Sequence, residues 1–462
     1  METPANLSEA LNRASLDKFH IRSMIVAGMG FFTDAYDLFI IGVALVLIKN
    51  EFHPTAFEVG LVGSTSLLAA FIGAFLFGWI ADKFGRKSVY GVEATVMALA
   101  AIASALSPNI IWLIIFRFIL GIAIGGDYPV SAVIMSEYAN VKDRGKLVGM
   151  VFSMQAVGLV AGPLVALLLL VSGIPHDLAW RLMLALGAIP AASVIYLRRK
   201  MPESPRYLSR VKGQTEQAAS QLRAYTEGKI AVEVKNEGRV QAGLSKYILT
   251  LIGTAGTWFV FDYAYYGNSI STPLILKAVA PNASLITSTL LTLLIFLVAA
   301  VPGYILAFLF MDRIGHKRLQ LIGFVCMGLA FLAIGVVPGI TKEIVPFIII
   351  YGISYFFAEF GPNTTTFVLS AELYPVNLRT TGHGLSAGVA KIGAFIGVFL
   401  FPIIQAALGL NGTLKITFVF ALVGCGLTLL LPEPAGKSLE EVSHEDQYMV
   451  PLSAPEPVAV GD

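Results

Sequence analysis

Long runs of apolar residues recur along almost the whole chain, and short polar connections separate them. A helix needs about 20 such residues to cross the hydrocarbon core of a membrane. A transmembrane β-barrel would instead show alternating segments of about ten residues. The pattern therefore predicts twelve membrane-spanning helices, numbered spans 1 to 12 in chain order: residues 23–48, 59–81, 89–107, 109–136, 146–171, 180–197, 247–278, 285–310, 318–338, 344–372, 382–408 and 413–431.

The composition supports a membrane protein and excludes other classes. Of the 462 residues, 56% are apolar and 13% are charged, whereas about 25% charged residues are usual in a soluble domain. A net charge of +2 provides no basic field for a nucleic-acid partner. Cys326 and Cys425 both lie in apolar runs, so they form no disulfide framework. The sequence shows no catalytic triad, metal-ligand cluster or nucleotide-binding loop, and we expect no enzyme activity, cofactor or metal.

One long polar stretch inside the chain separates six spans from the other six. This arrangement predicts an all-α membrane protein made of two pseudo-repeated six-helix bundles. The predicted parts are an N-terminal segment (1–22), a first bundle (23–197), a central loop (198–246), a second bundle (247–431) and a C-terminal tail (432–462).

Lysine and arginine are distributed unevenly between the two sides of the predicted bundles. Of the 32 such residues, 25 lie on the side that carries both termini and the central loop, and four lie on the opposite side. The positive-inside rule therefore places both termini in the cytoplasm. Residues 214–224 of the central loop predict a short surface helix, and the proline-rich tail from Pro432 is expected to be disordered.

The two halves repeat spaced motifs. Gly78-Trp-Ile-Ala-Asp82-Lys-Phe-Gly85-Arg86-Lys87 joins spans 2 and 3, and Asp312-Arg-Ile-Gly315-His316-Lys317 joins spans 8 and 9. In each half an acid also precedes an arginine by seven residues, as Glu137 and Arg144 and as Glu372 and Arg379. Duplicated halves are typical of alternating-access transporters, whose site lies between the halves.

These motif residues are interpreted as gates or supports. Gly78 permits close helix approach, and Asp82 can accept hydrogen bonds from a helix N-terminus or an arginine. Each acid–arginine pair either latches the cytoplasmic helix ends in one state and releases them in another, or is a static solvated ion pair. The candidate gating residues are Asp82, Arg86, Glu137, Arg144, Glu372 and Arg379.

Charged residues inside the predicted spans are few, and each is a functional candidate because a charge at the bilayer centre costs about 2.5–3.5 kcal/mol on insertion scales. Acids outnumber bases six to two, so some acids must be protonated or paired, as a proton-coupled transporter requires. The set is Asp34, Asp37, Glu93, Arg117, Asp127, Asp262, Glu359 and Lys391.

Two groups within this set have informative spacing. Asp34 and Asp37 lie three residues apart, which places two like charges on one helix face. Trp258, Asp262 and Tyr266 follow at intervals of four and share a face of span 7. Lys391 remains charged if it pairs with Asp262 or holds an anion, and the alternative is that it extends to a membrane surface.

Several of these stretches resemble the phosphate:proton symporter family of the major facilitator superfamily, over most of residues 25–435. The resemblance rests on Gly-Phe-Phe-Thr-Asp34-Ala-Tyr-Asp37, Gly-Gly-Asp127-Tyr128-Pro, the stretch from Trp258 to Tyr266, and Gly-Pro-Asn363-Thr-Thr-Thr. It implies the major facilitator fold and symport of inorganic phosphate with protons. The implied substrate-binding residues are Tyr128, Gln155, Trp258, Asp262, Tyr266, Asn363 and Lys391, and the implied proton-coupling acids are Asp34, Asp37, Glu93 and Asp127.

One position departs from the resemblance. Glu359 stands where the resemblance leads us to expect an uncharged amide, and an extra acid near the anion could change the number of coupled protons or the substrate. We include Glu359 among the proton-coupling candidates.

The alternatives are a proton-coupled symporter for a sugar or small organic acid and a phosphate-sensing, transporter-like receptor. Pro202-Glu-Ser-Pro205-Arg and Pro432-Glu-Pro-Ala-Gly-Lys-Ser-Leu-Glu resemble sugar-porter motifs and leave the first alternative open. The expected partners are inorganic phosphate, protons and the lipid bilayer, with no nucleic acid. We expect a monomer in the plasma membrane.

Overall fold

A computed structural model describes residues 6–225 and 238–451. It contains eleven helices that are long and apolar enough to cross a membrane. The last of them, Arg379–Thr428, has 50 residues and would be about 75 Å long, more than twice the hydrocarbon thickness. Gly409 breaks it with φ 69° and ψ 175°, so residues 379–408 and 410–428 form spans 11 and 12. The predicted twelve-helix fold class is confirmed.

The spans have similar bounds to those predicted and are mostly longer. Spans 1 to 6 are Lys18–Phe52, Ala56–Phe84, Arg86–Ala105, Ile110–Tyr138, Arg144–Val171 and His176–Lys200. Spans 7 to 10 are Leu244–Ile270, Leu285–Ile314, His316–Val336 and Ile344–Glu372. Span 3 consists of two helical segments, Arg86–Val89 and Val92–Ala105, which are interrupted at Gly91. Five-residue π-helical turns interrupt span 8 at Phe296–Ala300 and span 10 at Glu359–Asn363.

Shorter elements connect and flank the spans. The helices are Leu7–Arg13, Pro205–Arg210, Thr215–Tyr225, Thr272–Val279 and Leu439–Ser443, and the 3-10 turns outside the spans are Ile340–Lys342 and Glu445–Tyr448. Strand β1 (Arg239–Val240) pairs antiparallel with β2 (Met449–Val450). The surface helix predicted at 214–224 is therefore present. The side that carries these strands and the helices around residues 7–13, 205–225 and 439–443 is called the terminal face.

Glycine is required where spans 2 and 3, and spans 8 and 9, turn at the terminal face. Gly85 has φ 108° and Gly315 has φ 100°, values that a residue with a Cβ rarely adopts. A Cβ at Gly85 would also lie 2.2 Å from a carboxylate oxygen of Glu203, and one at Gly315 would lie 2.5 Å from an oxygen of Glu433. The two repeated motifs thus form the same turn, and each turn packs under a glutamate from elsewhere in the chain.

The expectation of a disordered tail is wrong for residues 432–451. Glu440 pairs with Arg206, and Glu445 pairs with both Arg210 and Arg379. These side chains are all buried, and the two tail glutamates supply counter-charges to buried arginines. A proline-rich composition did not reveal this, because the partners of the acids lie in other parts of the chain.

Replacing Glu445 with alanine is expected to destabilise the tail. Burial by itself would raise the pKa of the Glu445 carboxyl, but the nearby Arg379 and Arg210 outweigh it and hold the pKa below its ordinary value. The stabilisation is therefore complete at neutral pH and is lost only as the pH falls below the ordinary glutamate range. We expect a loss of about 1.5–3 kcal/mol, the size of a hydrogen bond to a charged group.

Limited proteolysis and thermal unfolding in detergent at neutral pH measure this loss. The Glu445→Ala tail should be cleaved faster, whereas Glu441→Ala, which changes an exposed neighbour, should behave like the wild type. Equal cleavage of the two variants would show that the tail does not depend on the Glu445 ion pairs.

Candidate functional site

A buried lysine lies at the junction of the two halves. Lys391 Nζ of span 11 is 3.1 Å from Asp262 Oδ2 and 3.2 Å from the Tyr266 hydroxyl, both on span 7. It also lies 4.7 Å from the centre of the Tyr128 ring, which span 4 of the first half provides. The side chain is only 2% exposed, which excludes an extension to the membrane surface. The structure shows the pairing with Asp262, one of the two possibilities for a charged Lys391.

The ion pair leaves one acceptor unused. Asp262 Oδ1 is buried and has no hydrogen-bond partner within residues 6–225 and 238–451. A buried ion pair is stable only when its remaining polar atoms are also satisfied. This oxygen is therefore available to a donor from outside the protein.

A chain of hydrogen bonds crosses between the halves beside this ion pair. The Tyr128 hydroxyl donates to Asp34 Oδ2 at 2.6 Å, and Gln155 Nε2 donates to the Tyr128 hydroxyl at 3.0 Å. The Tyr304 hydroxyl of span 8 donates to Gln155 Oε1 at 3.0 Å, and Asn363 Nδ2 donates to the Tyr304 hydroxyl at 2.8 Å. Asn363 also donates to Glu359, one turn earlier in span 10.

The structure thus brings together six of the seven residues that the resemblance proposed for substrate binding, and the seventh, Trp258, has its ring 6.0 Å from that of Tyr128. Tyr304 joins them, although the sequence analysis did not single it out. The available signal was its position beside Gly303, as the only polar side chain in the sequence between Thr292 and Asp312.

Aromatic side chains close the space between this group and the terminal face. The rings of Trp258 and Tyr128 have centroids 6.0 Å apart, and Trp258 meets His383 edge-on at 5.5 Å. Phe152 of the first half stacks on Phe367 of the second at 4.5 Å. Apart from Tyr128, every residue of this layer shares its span with a polar residue of the central group. In each case the layer residue lies closer to the terminal end of that span. The layer therefore separates the polar group from the terminal face.

The opposite side is narrow. A small cavity of about 30 Å³ lies there between spans 1 and 5 of the first half and spans 7 and 8 of the second. Its polar lining comes from Ser269, Ser288, Thr289 and Thr292. The side chains of the central group are themselves buried, so the group is nearly enclosed.

Three of the predicted proton-coupling acids lie outside the central group and pair with arginines of the first half. Asp37 Oδ1 is 3.0 Å from Arg117 Nη1. Glu93 Oε1 and Asp127 Oδ1 lie 2.9 and 2.6 Å from the same atom, Arg198 Nη1. Asp34 and Asp37, which lie three residues apart, thus have different partners, the Tyr128 hydroxyl and Arg117.

Arg198 was missed as a site residue because it was counted with the polar central loop. The final helix of span 6 extends to Lys200 and carries Arg198 into the interior, where it is fully buried. The signal was its place directly after the apolar run that ends at residue 197.

The acid–arginine pairs at the terminal face are crossed between the halves, and the expected pairing within each half is wrong. Glu137 of the first half accepts hydrogen bonds from Arg86 at 2.9 Å and from Arg379 of the second half at 3.1 Å. Glu372 of the second half accepts from Arg144 of the first at 2.9 Å. All five side chains are buried, so the solvated-pair alternative is also excluded.

Backbone groups complete this contact in both halves. The Asp82 carboxylate accepts from the amides of Thr380 and Thr381 at the start of span 11, at 3.2 and 2.6 Å. The Asp312 carboxylate accepts from the amides of Gly145 and Lys146 at the start of span 5, at 3.0 and 2.7 Å. The His316 ring lies between two of these acids, 3.2 Å from Asp312 and 3.1 Å from Glu372. We use the term latch for the set Asp82, Arg86, Glu137, Arg144, Asp312, His316, Glu372 and Arg379, which holds the halves together at the terminal face.

Two bundles of six helices, joined by a latch on one face and sharing a buried polar group at their interface, define a membrane transporter of the major facilitator type. The chain belongs to the sugar (and other) transporter family, whose profile matches residues 23–445. It is a transporter and not an enzyme.

Individual relatives point to a narrower group of transporters within this family. The chain is 35% identical to inorganic phosphate transporter 1-1 of Arabidopsis thaliana, over 96% of this chain and 98% of the relative. It is 36% identical to low affinity inorganic phosphate transporter 1 of Petunia hybrida, over 95% of each. The resemblance to the phosphate transporter family is therefore confirmed over nearly the whole length.

A solved structure confirms the fold. The proton:xylose symporter XylE, bound to 6-bromo-6-deoxy-D-glucose, superimposes with a TM-score of 0.78 at 22% sequence identity. The match covers 92% of this chain and 98% of XylE. At this identity the likeness establishes the major facilitator fold.

Proposed function

We propose that this protein imports inorganic phosphate together with protons by alternating access. The observation that carries the proposal is the buried Lys391–Asp262 ion pair, which faces Tyr128 across the interface of the halves. The names of the relatives point to phosphate, and the buried cation provides the charge that an anion requires. The positive-inside distribution of Lys and Arg supports a cytoplasmic terminal face, in the plasma membrane of the cell.

Dihydrogen phosphate fits the donors and acceptors of this group. Lys391 supplies positive charge, and Trp258, Tyr128, Tyr266, Asn363 and Gln155 carry N–H or O–H donors for phosphate oxygens. Asp262 has the unused oxygen Oδ1, which accepts a hydrogen bond from a P–OH group. Sulfate has no such hydrogen at neutral pH, and its oxygen would face the carboxylate without a donor between them.

Proton binding and anion binding are coupled electrostatically. An ionised Asp262 repels a bare anion, and Asp34 adds a second carboxyl next to Tyr128. Anion binding is therefore favoured when acids of the group are protonated, and by linkage the anion favours their protonation equally. Asp37, Glu93 and Asp127 take part in proton movement only in a state in which their pairs with Arg117 and Arg198 open.

The latch provides the alternating access. With Asp82, Glu137 and Glu372 paired across the halves, the terminal face is closed, and release of phosphate into the cytoplasm requires that these contacts separate. We propose that a single chain, with bundles 23–197 and 247–431, carries out the cycle as a monomer in the lipid bilayer.

Phosphate uptake into proteoliposomes tests the proposal. An inward proton gradient should accelerate entry of radiolabelled phosphate, and a protonophore should abolish the acceleration. Arsenate should compete, whereas sulfate and glucose should not. Uptake that ignores the pH gradient would refute proton coupling, and competition by glucose would favour the sugar alternative instead.

A further inference from the structure

Most buried carboxyls of this protein have a cationic partner. Within residues 6–225 and 238–451, nine buried acids lie within ion-pair distance of an arginine, lysine or histidine: Asp37, Asp82, Glu93, Asp127, Glu137, Asp262, Glu372, Glu440 and Glu445. In the same part of the chain, two buried acids have no such partner, Asp34 and Glu359. One lies in each half, and both belong to the hydrogen-bond chain that crosses the interface.

Glu359 lies in a fully buried and tightly packed place. Its side chain is fully buried, and Oε2 accepts a hydrogen bond from Asn363 Nδ2. Oε1 has no partner among the described residues. A Cβ at Gly303 of span 8 would come within 2.8 Å of the Glu359 Cβ, so the two helices touch at this point.

A negative charge at this position would be strongly unfavourable. An ionised carboxylate buried without a cation costs several kcal/mol. The groups that face Glu359 are the Asn363 amide and the hydroxyls of Tyr265 and Tyr304, and none of them carries a counter-charge. A neutral, protonated carboxyl avoids this cost. The geometry therefore requires that Glu359 holds a proton in the conformation with the latch closed.

The local backbone offers a way to exchange that proton. Glu359 is the first residue of the π-helical turn Glu359–Asn363, in which Gly361 has the non-helical angles φ −115° and ψ −107°. A Cβ at Gly361 would lie 2.5 Å from the Cα of Gly323 in span 9, so this bend depends on close glycine contact. Such breaks are where helices bend, and a change of bend would move Glu359 relative to span 8.

The hydrogen-bond chain connects Glu359 with Asp34 without conducting protons between them. The amides of Asn363 and Gln155 interrupt the chain, and an amide does not pass on a proton as a hydroxyl does. Each carboxyl must therefore load and release its own proton. Their states are coupled because Asn363 presents its N–H₂ group to Glu359 and to the Tyr304 hydroxyl at once.

We propose that Glu359 carries one transported proton in each cycle, in addition to the proton carried on Asp34. This inference rests on the proposed phosphate transport. The Glu359 carboxylate takes one H⁺ from the side opposite the terminal face and releases it at the terminal face, and no covalent bond of phosphate changes. One H₂PO₄⁻ with two H⁺ moves a net charge of +1, whereas one H₂PO₄⁻ with one H⁺ moves none.

Charge movement and phosphate entry, measured on the same proteoliposomes, test the inference. The wild type should move one positive charge per phosphate, and an inside-negative potential should accelerate uptake without a pH gradient. Glu359→Gln keeps the shape and loses the titratable group, so the charge per phosphate should fall by one while uptake driven by the pH gradient continues. Glu359→Asp keeps a titratable carboxyl and should retain the wild-type ratio. The matched control is Glu58→Gln, which makes the same change in the capping box of span 2, at the end away from the terminal face. It should also retain the wild-type ratio.

A charge-to-phosphate ratio in Glu359→Gln equal to that of the wild type would overturn the inference, as would electroneutral transport by the wild type. Absence of phosphate uptake by the wild type would refute the proposed function instead. If Glu359→Gln does not transport, infrared difference spectra against the wild type decide the question. If the wild type shows a protonated carboxyl band at pH 7 that the variant lacks, the inference is supported. If the two spectra do not differ in this band, the inference is overturned.

Discussion

Replacing Lys391 with glutamine is expected to reduce phosphate transport by at least about 100-fold. The substitution removes the cation from the central group and leaves Asp262 as a buried charge with no partner. A hydrogen bond to a charged group contributes about 1.5–3 kcal/mol to phosphate binding, and each 1.4 kcal/mol corresponds to about tenfold in affinity. Because the remaining carboxylate also repels the anion, the loss should be seen in phosphate binding as well as in uptake.

The double variant Asp262→Asn with Lys391→Gln separates stability from function. Without the carboxylate no buried charge is left over, so thermal unfolding in detergent should recover toward the wild-type value while transport stays absent. Lys342→Gln, which changes an exposed lysine in the connection between spans 9 and 10, is the matched control and should leave both unchanged. Wild-type affinity in Lys391→Gln would remove this residue from the proposed site.

Replacing Arg144 with alanine is expected to open the terminal face. Arg144 Nε donates to Glu372 across the halves, and Arg144 Nη2 donates to the carbonyl oxygen of Lys437 at 2.9 Å. Hydrogen bonds to charged groups contribute about 1.5–3 kcal/mol. Water replaces them when the face opens, so their loss penalises only the closed state. The open population should therefore rise about 10- to 100-fold.

Thiol labelling measures this shift. Ser136 is buried at the interface, where its hydroxyl donates to the carbonyl oxygen of Ala371 in the other half at 3.3 Å. In a background with Cys326 and Cys425 replaced by alanine, Ser136→Cys should react with a soluble thiol reagent faster when Arg144→Ala is present. Arg181→Ala disrupts a partly exposed pair with Glu51 away from the latch, and it should not change the rate. Equal labelling with and without Arg144→Ala would show that the latch does not hold this face closed.

The sequence predicted most residues of the candidate site, but it predicted fewer of the contacts between them. Lys391 and Asp262 stood out because a charge within an apolar run is costly wherever the helix goes, and their spacing on spans 7 and 11 allowed a pair. Arg198 did not stand out, because its burial depends on how far span 6 continues past its apolar run. Tyr304 was overlooked for a similar reason, since a tyrosine in a membrane helix acquires meaning only from the groups that its hydroxyl meets.

The number of spans, the division into halves and the expected orientation were determined by the sequence alone, because apolar length and the placement of lysine and arginine are local properties. The tertiary structure alone decided which acid meets which base. Glu137 lies 242 residues from Arg379, and Arg144 lies 228 residues from Glu372. Such pairs form because two folded halves meet, and no pattern within one half specifies them. The same reason explains why Asp34 and Glu359, similar in the sequence to the other buried acids, are the two that have no cation within ion-pair distance in the described part of the chain.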